Sequence, residues 1–493
     1  MHQVIESLAA VCSERRAAVT RILGDQAFLL GAGHSRPRNY AANTFRFRAA
    51  SHFLFLTGLS SPGAHLLISG QHARIFVHPD GPDHALWHGP SPSMSQLATS
   101  LGCSVEPMSA LPNALQNISH VMMLPAADRR ACDEMSSLLG RKVTPGVIST
   151  HDLPLAQAMI QARLCHDQAA LAQMTAAAEL TTRAFAAGMA ATAPGKLEWS
   201  VRAAMEYPLT ACGTVPAYNP IVSVHGEVLH NDRSDNTMRD GDLLLVDFGA
   251  ESTGGWACDV TRTWPVSGTF SPTQRDLYDV VLAAQRAAID AVTPGVRYRD
   301  VHLQACRTIA DGLCQLGILK GDVDGLVEDG VHALFFPHGV GHLLGLDVHD
   351  MEDLGDLAGY APGRSRSEQF GLGYLRLDRD LQPGMVVTIE PGFYQVPAIL
   401  QNPALTHGAA DRLNTDVLER FSDVRGIRLE DDILVTDQGH QNLTQSIPID
   451  PDDIQRAVQQ GRVPPTGRSV WKWSLARCPA WPQDPPAADQ PLA

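Results

Sequence analysis

The sequence has no excess of basic residues, no long apolar run and no paired cysteine motif. Its 493 residues contain 38 Lys and Arg against 53 Asp and Glu, which gives a formal net charge of −15. That balance disfavours nucleic acid and anionic membranes as partners, because both are bound through basic patches. The first twenty residues lack a basic segment before an apolar core, and no apolar run reaches the length of a membrane span. We therefore expect neither a signal peptide nor a membrane anchor.

The nine cysteines are scattered and include no CxxC pair. This pattern is typical of small buried residues in a reducing cytoplasm, and it disfavours a disulfide framework or a zinc knuckle. Hydrophobic residues make up 44% of the chain and charged residues 18%, as in soluble globular proteins. A chain of 493 residues is too long for one ordinary core, so two domains and a tail are expected.

The sequence changes character twice along its length. Residues 1–160 predict a smaller mixed α/β domain, because strand-like runs such as HLLISG and ARIFVHP are interrupted by Gly and Pro. The Ala-rich segment RLCHDQAALAQMTAAAELTTRAFAAGMAAT predicts a long helix at the start of a second domain, which covers residues 165–450. Residues 451–493 are Pro-rich and polar, and they predict a C-terminal extension with a partly disordered tail.

A faint internal repeat lies in the second domain. AGMAATAPGKLEWSVRAAM and AIDAVTPGVRYRDVHLQAC share a helix end, a Pro-Gly turn and a new helix, with Pro194 and Pro294 one hundred residues apart. That spacing is too long for a solenoid and fits a duplicated α/β half-domain. Pro-Gly turns between helices are common, so two unrelated turns are the alternative.

Four acidic residues lie in strand-like segments where apolar residues are expected. A buried carboxylate is costly unless it is paired or bound to a cation, and for any single acid a paired structural role is the simpler interpretation. Four such acids need a shared neutraliser, which Arg262 and Arg428 alone cannot provide. The acids are Asp247 in GDLLLVDFG, Asp259 in GGWACDVTRTW, Glu390 in PGMVVTIEPG and Glu430 in GIRLEDDILVT.

Two divalent metal ions would match the charge of these acids, since four carboxylates and one neutral imidazole sum to −4. Oxygen-rich ligation with one nitrogen favours Mn, with Co or Zn possible, and paired ions of this kind catalyse hydrolysis. The imidazole belongs to FFPHGVGHLLGLDVHD, in which glycines between His338 and His342 favour a turn or strand end over a helix. One of these histidines can then bind metal while the other faces substrate. Packed core histidines are the alternative for this motif taken alone.

These segments, in this order, resemble the proline-specific metallopeptidases of the pita-bread fold, peptidase family M24B, which includes aminopeptidase P and prolidase. The motifs are VDFG, DVTRTWPVSG, PHGVGHLLGLDVHD, PGMVVTIEPGFY and GIRLEDDILVT, with weaker matches in FRFRAASHFLFLTGL and HALWHG. The resemblance implies an α/β (α+β) protein with a C-terminal pita-bread catalytic domain and an N-terminal aminopeptidase P-like domain. It also implies hydrolysis of the Xaa-Pro bond in small peptides with proline at the second position.

The resemblance implies roles for individual residues. Glu390 would be both a ligand and the general base, and Arg428 would lie beside the ligands. Trp87 matches a tryptophan that reaches into the active site of a neighbouring subunit, so a homodimer or homotetramer is implied. Two departures are Asn231, where the family commonly has Tyr, and one extra residue between the two aspartates. The implied metal ligands are Asp247, Asp259, His342, Glu390 and Glu430, and the implied substrate histidines are His230, His338 and His349.

Two long inserts favour prolidase, an Xaa-Pro dipeptidase, over aminopeptidase P, which acts on longer peptides. They flank Glu390 and contain the prolidase-like segments YLRLDRDLQPGM and LNTDVLERF. Arg376 matches an arginine that grips the free carboxylate of a dipeptide, a pairing suited to a planar guanidinium. A solvent-facing charge is the alternative for Arg376. A metal-free protein-binding module of the same fold, a methionine aminopeptidase and a creatinase-like enzyme fit the sequence less well.

Overall fold

The computed structural model describes residues 8–81 and 83–461 and divides into two compact units. Among the described residues, the first unit comprises the chain from residue 8 up to Ala169 together with His349–Ser365 and Gln382–Met385. The second comprises Ala170–Val348, Arg366–Leu381 and residues 386–461. Two later segments of the chain thus belong to the first unit as well. The predicted domain bounds of 1–160 and 165–450 stay a prediction. The predicted C-terminal tail lies outside the described residues.

Helices make up most of the regular structure. They are α1 (Leu8–Leu23), α2 (Ser51–Thr57), α3 (His84–His88), α4 (Met94–Leu101), α5 (Leu111–Leu115), α6 (Arg129–Leu139), α7 (Leu153–Arg163), α8 (Gln168–Ala191), α9 (Glu198–Ala211), α10 (Pro272–Asp290), α11 (Tyr298–Gln315), α12 (Val323–Glu328), α13 (Asp356–Gly359), α14 (Pro397–Leu400), α15 (Pro403–Thr406), α16 (Thr415–Glu419) and α17 (Pro451–Gly461). Short 3₁₀ helices are Met108–Ala110, Val331–Leu334, Glu352–Leu354, Leu372–Tyr374 and His407–Ala409.

In the described part of the chain the strands are short and form four sheets. They are β1 (Ala27–Gly31), β2 (His65–Ser69), β3 (His72–Val77), β4 (Ser104–Pro107), β5 (Val121–Met122), β6 (Ile221–Ser223), β7 (Leu243–Asp247), β8 (Thr261–Pro265), β9 (Val386–Ile389), β10 (Gly392–Tyr394), β11 (Gly426–Arg428), β12 (Asp431–Thr436) and β13 (Gly439–Asn442). The first unit holds a mixed sheet with the order β4-β3-β2-β1-β5. The second unit holds the antiparallel sets β6-β7-β8, β10-β11 and β13-β12-β9.

The strand-like runs HLLISG and ARIFVHP form β2 and β3, as predicted. The two strands pair antiparallel, and β2 lies between β1 and β3 in the sheet. Their buried apolar residues are Leu66, Leu67, Ile68, Ile75, Phe76 and Val77. The mixed α/β character predicted for the first part of the chain is therefore confirmed.

The predicted long helix is α8, but it begins at Gln168 and not at the start of the Ala-rich segment. Helix α7 ends at Arg163, and residues 164–167 separate the two helices. The C-terminal extension begins with a helix, α17, whose first residue is Pro451. Proline is compatible with the first turn of a helix, where its missing N–H has no intrahelical partner.

The repeated layout is present in the second unit. Helix α8 leads through a Pro-Gly turn into α9, and α10 leads through a second Pro-Gly turn into α11. Gly195 and Gly295 have φ angles of +83° and +84°, a conformation that favours glycine. Both amides donate to a distant carbonyl at 2.8 Å, Gly195 to Met238 and Gly295 to Leu381. The two turns therefore share their backbone geometry and their mode of anchoring.

Within residues 8–81 and 83–461, no helix is both long enough and apolar enough to cross a membrane. The eight cysteines in this part of the chain are free thiols, and four of them are buried. Their scattered placement agrees with small packed residues and not with a disulfide framework.

Candidate metal centre

The four acids and the histidine singled out in the sequence lie at strand ends and in one irregular loop. Asp247 is the last residue of β7, and Glu390 directly follows β9. Asp259 precedes β8 by two residues, and Glu430 lies in the break between β11 and β12, so neither is inside a strand as the sequence suggested. His342 belongs to the irregular loop after Leu334, which confirms that the HxxxH segment is not helical. Acidic side chains at strand ends can converge on one point while the residues inside each strand remain apolar and buried.

Asp259, His342 and Glu430 form the centre of the cluster. One ligand atom from each lies within 4.8 Å of the others, and all three residues are buried. The Glu430 amide donates to the Thr261 carbonyl at 3.0 Å, which brings the break between β11 and β12 against β8. The Thr261 hydroxyl donates to Glu430 Oε2 at 2.7 Å and fixes the orientation of that carboxylate. Three distant parts of the sequence therefore present donor atoms to one point.

The orientation of His342 suits a metal ligand. Its Nδ1 lies 3.0 Å from the carbonyl of Leu343, to which it donates, so in the neutral ring Nε2 carries the lone pair. Nε2 lies 3.4 Å from Asp259 Oδ2 and 3.6 Å from Glu390 Oε1. These separations exceed an ordinary N–H···O hydrogen bond and match two donors bound to the same ion, since metal–N and metal–O distances are about 2.0–2.2 Å.

Asp247 is held by a tyrosine and an arginine. The Tyr218 hydroxyl lies 2.6 Å from Asp247 Oδ1 and 2.5 Å from Asp259 Oδ1. One hydroxyl has one proton and can donate to only one of these oxygens at a time. Arg428 donates to Asp247 Oδ2 at 2.6 Å and to the Thr261 hydroxyl at 3.0 Å. The Tyr218 hydroxyl therefore cannot hydrogen-bond to both aspartates at once, and one carboxylate oxygen lies close to it without a shared proton.

The charge of the cluster is reflected in its ionisation. Burial, with a further contribution from Asp259 and Asp247, raises the pKa of Glu390 to about 7, although His342 and Arg428 oppose this. Burial and the neighbouring carboxylates of Asp259 and Glu390 raise the pKa of Glu430 well above its usual range. Without a cation, the cluster therefore retains protons at pH values where isolated carboxyl groups have lost them.

A divalent cation fits this donor set. Four carboxylates and one imidazole nitrogen converge, and one guanidinium, that of Arg428, contacts them directly. Arg262 is also buried close by, but its side chain is committed to Asp431 at 2.8 Å. Oxygen donors with a single nitrogen are the ligands that hard divalent ions prefer. The residues present thus satisfy the requirement for metal that the sequence predicted.

His338 belongs to a hydrogen-bonded chain that ends at Arg428. Its Nδ1 donates to the Gly339 carbonyl at 2.8 Å, so Nε2 accepts from the Tyr394 hydroxyl at 2.9 Å. Tyr394 in turn accepts from Arg428 Nη1 at 3.1 Å. Burial, followed by the charge of Arg428, lowers the pKa of His338 to about 3 and keeps the ring neutral. For His338 Nε2 to contact a substrate, its hydrogen bond with the Tyr394 hydroxyl must first be broken.

The structure brings some of the other predicted residues to this centre. His230 is exposed and Arg376 is half-buried, and both lie close enough to His338 for their charges to lower its pKa. His349 belongs to the first unit, where its Nδ1 lies 3.4 Å from Glu352 Oε2. Trp87 also belongs to that unit, on α3, and its side chain is 75% exposed.

Three residues of the centre were missed by sequence reasoning. Thr261 and Tyr394 lie in recognised motifs, but nothing in their spacing showed that their hydroxyls face the acids. Tyr218 lies ahead of β6, far from the motifs, and only the fold brings it to the two aspartates. The one available signal is that a buried tyrosine hydroxyl needs a hydrogen-bond partner. Because this holds for every tyrosine in the sequence, it does not single out Tyr218.

Comparison with known proteins agrees with this geometry. Residues 172–437 match the model of metallopeptidase family M24, and residues 12–122 match the N-terminal domain of aminopeptidase P. The Xaa-Pro aminopeptidase of Haemophilus influenzae is 31% identical over 459 residues, which cover 90% of this chain and 96% of that protein. The Xaa-Pro aminopeptidase of Escherichia coli is 30% identical and covers 91% of this chain and 97% of that protein.

Solved structures give the same result. Proline aminopeptidase P II from Yersinia pestis has a TM-score of 0.76 and 29% identity, and the match covers 92% of this chain and 100% of that chain. Aminopeptidase P from Escherichia coli with the inhibitor Pro-Leu has a TM-score of 0.76 and 28% identity, and the match covers 93% of this chain and 99% of that chain. These relatives favour the aminopeptidase alternative, and they do not support the prolidase interpretation drawn from the inserts. The chain belongs to metallopeptidase family M24, has the pita-bread fold, binds divalent metal and hydrolyses Xaa-Pro bonds.

Proposed function

We propose that this protein is an Xaa-Pro aminopeptidase that removes the first residue of peptides with proline at the second position. The observation that carries the proposal is the convergence of His342 Nε2 with Asp259, Glu390 and Glu430 in a buried site. Asp247 joins them through its contact with Tyr218, which also contacts Asp259. We further infer that these five side chains hold two divalent ions, with Mn favoured by the oxygen-rich donor set and Co or Zn possible.

The protein's own residues then have separate tasks. When bound, the ions supply Lewis acidity and make a nucleophile available from water at neutral pH. Glu390 is the group that accepts the proton of the attacking water and passes it to the proline nitrogen, as a general base and then a general acid. Arg428 neutralises Asp247 and holds Tyr394, which fixes the His338 ring. His338 and His230 would contact the substrate around the scissile bond, whereas a substrate contact by His349 stays a prediction from the family resemblance.

The preference for longer peptides over dipeptides rests on the relatives. The named relatives are Xaa-Pro aminopeptidases, and they match this chain along nearly its whole length. The inhibitor of the Escherichia coli protein, Pro-Leu, carries a residue after proline, as a longer substrate does. Arg376 lies near His338, where it can contact the proline end of a substrate, but its guanidinium can serve a peptide carbonyl as well as a free carboxylate.

We also propose a homodimer or homotetramer in which Trp87 contributes to a neighbouring subunit's site. Trp87 is 75% exposed and its neighbour Leu86 is 76% exposed, an unusual pairing of large apolar side chains on one short helix. A cytoplasmic location is the compartment that best fits the free thiols. Mass measurement of the wild type and of Trp87→Ala in solution tests the assembly: a wild-type monomer contradicts it.

The proposed activity is tested with four peptides on metal-loaded protein. Ala-Pro-Ala and Ala-Pro amide both lack the free proline carboxylate, Ala-Pro has it, and Ala-Ala-Ala lacks proline. An aminopeptidase cleaves Ala-Pro-Ala with a kcat/KM at least about ten-fold above that for Ala-Pro, cleaves the amide, and leaves Ala-Ala-Ala uncut. A preference for Ala-Pro, lost in the amide, would identify a dipeptidase and overturn the proposal.

A further inference from the structure

A second group of metal-binding side chains lies in the second unit, apart from the carboxylate centre. His302 and Cys306 are one turn apart on α11, and His332 lies in the 3₁₀ helix Val331–Leu334. One donor atom from each lies within 4.8 Å of the others. The residues are 1%, 0% and 5% exposed, so the group is enclosed by the protein. None of the three belongs to the donor set assigned to catalysis.

The spacing of the sulfur and nitrogen atoms suits one ion. Cys306 Sγ lies 3.4 Å from His302 Nε2. Two donors bound tetrahedrally to Zn²⁺ at about 2.3 Å for sulfur and about 2.1 Å for nitrogen are separated by roughly 3.6 Å. The pair on α11 therefore needs little movement to share a metal ion, and a helix positions such i, i+4 side chains rigidly on one face.

His332 supplies an independent sign of a missing partner. Its Nδ1 is buried and makes no hydrogen bond of ordinary geometry within the described part of the chain, although the ring interacts with the Leu326 backbone. Buried polar atoms are nearly always satisfied, so an exception calls for an explanation such as an ion. A hydrogen bond between the Cys306 thiol and His302 is a simpler account of those two residues, but it leaves His332 Nδ1 unexplained.

The protonation of the group agrees with metal binding. Burial lowers the pKa of His302 to about 3, and burial lowers the pKa of His332 to about 4 although the Leu326 backbone opposes it. Both rings are therefore neutral and have a lone pair to donate. Burial raises the pKa of Cys306, so a bare thiolate is unfavourable there and forms only with a cation beside it.

We propose that His302, Cys306 and His332 bind a thiophilic metal ion, Cu⁺ or Zn²⁺, at a site separate from the catalytic centre. Two imidazoles and a thiolate are soft and borderline donors, which select these ions over Mn or Mg. Binding replaces the thiol proton, which leaves to solvent, by a sulfur–metal bond, and no electron is transferred. Charge favours Cu⁺, because a single thiolate neutralises it, whereas Zn²⁺ keeps one positive charge in the interior.

The site is connected to the catalytic centre through one aromatic ring. The His302 ring centroid lies 5.6 Å from that of Phe336, and Phe336 packs edge-on against His338 at 4.9 Å. An ion at the second site therefore stabilises the loop that positions His338 without contacting substrate. We expect it to raise the Tm of the protein and to leave the proline requirement unchanged.

The test uses the full chain and a sulfur-specific signal. Co²⁺, as a reporter for Zn²⁺, gives a near-ultraviolet charge-transfer band only with a thiolate ligand, and the proposed catalytic donors contain no sulfur. In a parallel arm, Cu⁺ is titrated without oxygen against a coloured Cu⁺ chelator. The variants are Cys306→Ala and the control Cys314→Ala, which changes a partly exposed thiol on the same helix. The proposal is supported if the Co²⁺ band, Cu⁺ binding or both persist in Cys314→Ala and are lost in Cys306→Ala. The arm that gives the signal identifies the ion, since the Co²⁺ band reports Zn²⁺ binding.

His332→Leu keeps the test decisive where Cys306→Ala fails to fold. Circular dichroism first establishes that each variant is folded. We expect His332→Leu to weaken Cu⁺ or Co²⁺ binding at least ten-fold while peptide hydrolysis persists. Absence of the thiolate band together with absence of Cu⁺ binding in wild type overturns the site. Unchanged binding in folded His332→Leu or Cys306→Ala does so as well, because the signal then comes from other thiols.

Discussion

Arg428 donates a 2.6 Å hydrogen bond to the Asp247 carboxylate, and both side chains are largely buried. Removing one partner of a buried ion pair leaves an uncompensated charge, which typically costs about 3–5 kcal/mol. We expect Arg428→Met to lower the stability of the metal-free protein by an amount of that order. Added Mn²⁺ should then raise the Tm of the variant more than that of wild type, because the ion supplies the lost positive charge.

Arg262→Met is the matched control for this experiment. Arg262 is equally buried and pairs with Asp431 at 2.8 Å, a residue outside the proposed donor set. It contacts Glu430 at the backbone carbonyl, at 2.6 Å, and not at the carboxylate. Its loss should also destabilise the protein, but Mn²⁺ should recover little of the loss. Thermal unfolding of both variants with chelator and with Mn²⁺ provides the measurement, and an equal response to metal in the two would contradict the assignment of Arg428.

Glu390→Gln tests the proposed general base. The amide keeps an oxygen donor but cannot accept a proton, and loss of general-base catalysis typically lowers a rate by about 10²–10⁴-fold. We expect a fall of that size in kcat for Ala-Pro-Ala. Metal content is measured on the same samples, since a fall that tracks lost metal reports ligation alone. Wild-type kcat in a metal-loaded variant would remove Glu390 from this role.

The sequence predicted the proposed metal-binding residues better than the residues that hydrogen-bond to them. The four acids could be found because acids at the ends of apolar strands violate the usual burial pattern, and Arg262 and Arg428 could not balance them. The choice of His342 over His338 as the nitrogen ligand came from the family resemblance. Tyr218 could not be found, because a single tyrosine outside the motifs violates nothing.

The inserts favoured a dipeptidase, an interpretation that the relatives do not support. Arg376 lies close enough to His338 to lower its pKa, but an arginine there does not reveal whether it binds a free carboxylate or a peptide carbonyl.

Fold prediction failed mainly at element boundaries. The Ala-rich segment has high helix propensity, yet α8 begins only at Gln168. Just before it, the His166 amide donates to the Gly384 carbonyl at 2.8 Å and Asp167 pairs with Arg15 at 2.8 Å, and these tertiary contacts hold both residues outside the helix.

The segment GIRLEDDILVT predicts one strand that includes Glu430, whereas the structure divides it into β11 and β12 on either side of that residue. The local sequence pattern does not reveal that the Glu430 amide donates a hydrogen bond to the Thr261 carbonyl, 169 residues earlier in the chain.

The stability of the metal-free protein should fall as pH rises. In the folded state burial raises the pKa of Glu390 from its usual 4.5 to about 7 and raises that of Glu430 also. The folded protein therefore binds protons that the unfolded chain has released, and stability is lost between about pH 4.5 and 7. For Glu390 alone the loss is at most about 3 kcal/mol. Metal ions take the place of these protons, so the metal-loaded protein should lack this loss.

Unfolding by heat or urea between about pH 5 and pH 8, with chelator or with Mn²⁺, measures this difference. Glu390→Gln serves as control, because its amide does not titrate and the chelated variant should lose less stability over this range. A chelated wild type whose stability is constant or rises with pH would contradict the raised pKa values.

Gly341→Ala should damage the centre through the backbone. A Cβ at Gly341 would lie 2.1 Å from the Thr388 carbonyl and 2.4 Å from the Tyr298 hydroxyl, too close for either to remain in place. Such overpacking typically costs about 1–3 kcal/mol or more, and Thr388 also holds the His342 amide at 3.1 Å. We expect lower Tm and weaker metal binding. Gly408→Ala, with open space around the added methyl, should change neither.

Arg376→Ala separates the two interpretations of the insert. If its guanidinium grips a free proline carboxylate, the variant loses activity on Ala-Pro selectively, because only that substrate offers the bidentate pairing. For an aminopeptidase we expect a fall in kcat/KM on Ala-Pro-Ala that is at least as large as the fall on Ala-Pro. Arg379→Ala, three residues away in the same insert, is the control for a general effect of lost charge. Steady-state rates on both peptides for wild type and the two variants decide the matter, and a selective loss on Ala-Pro restores the dipeptidase interpretation.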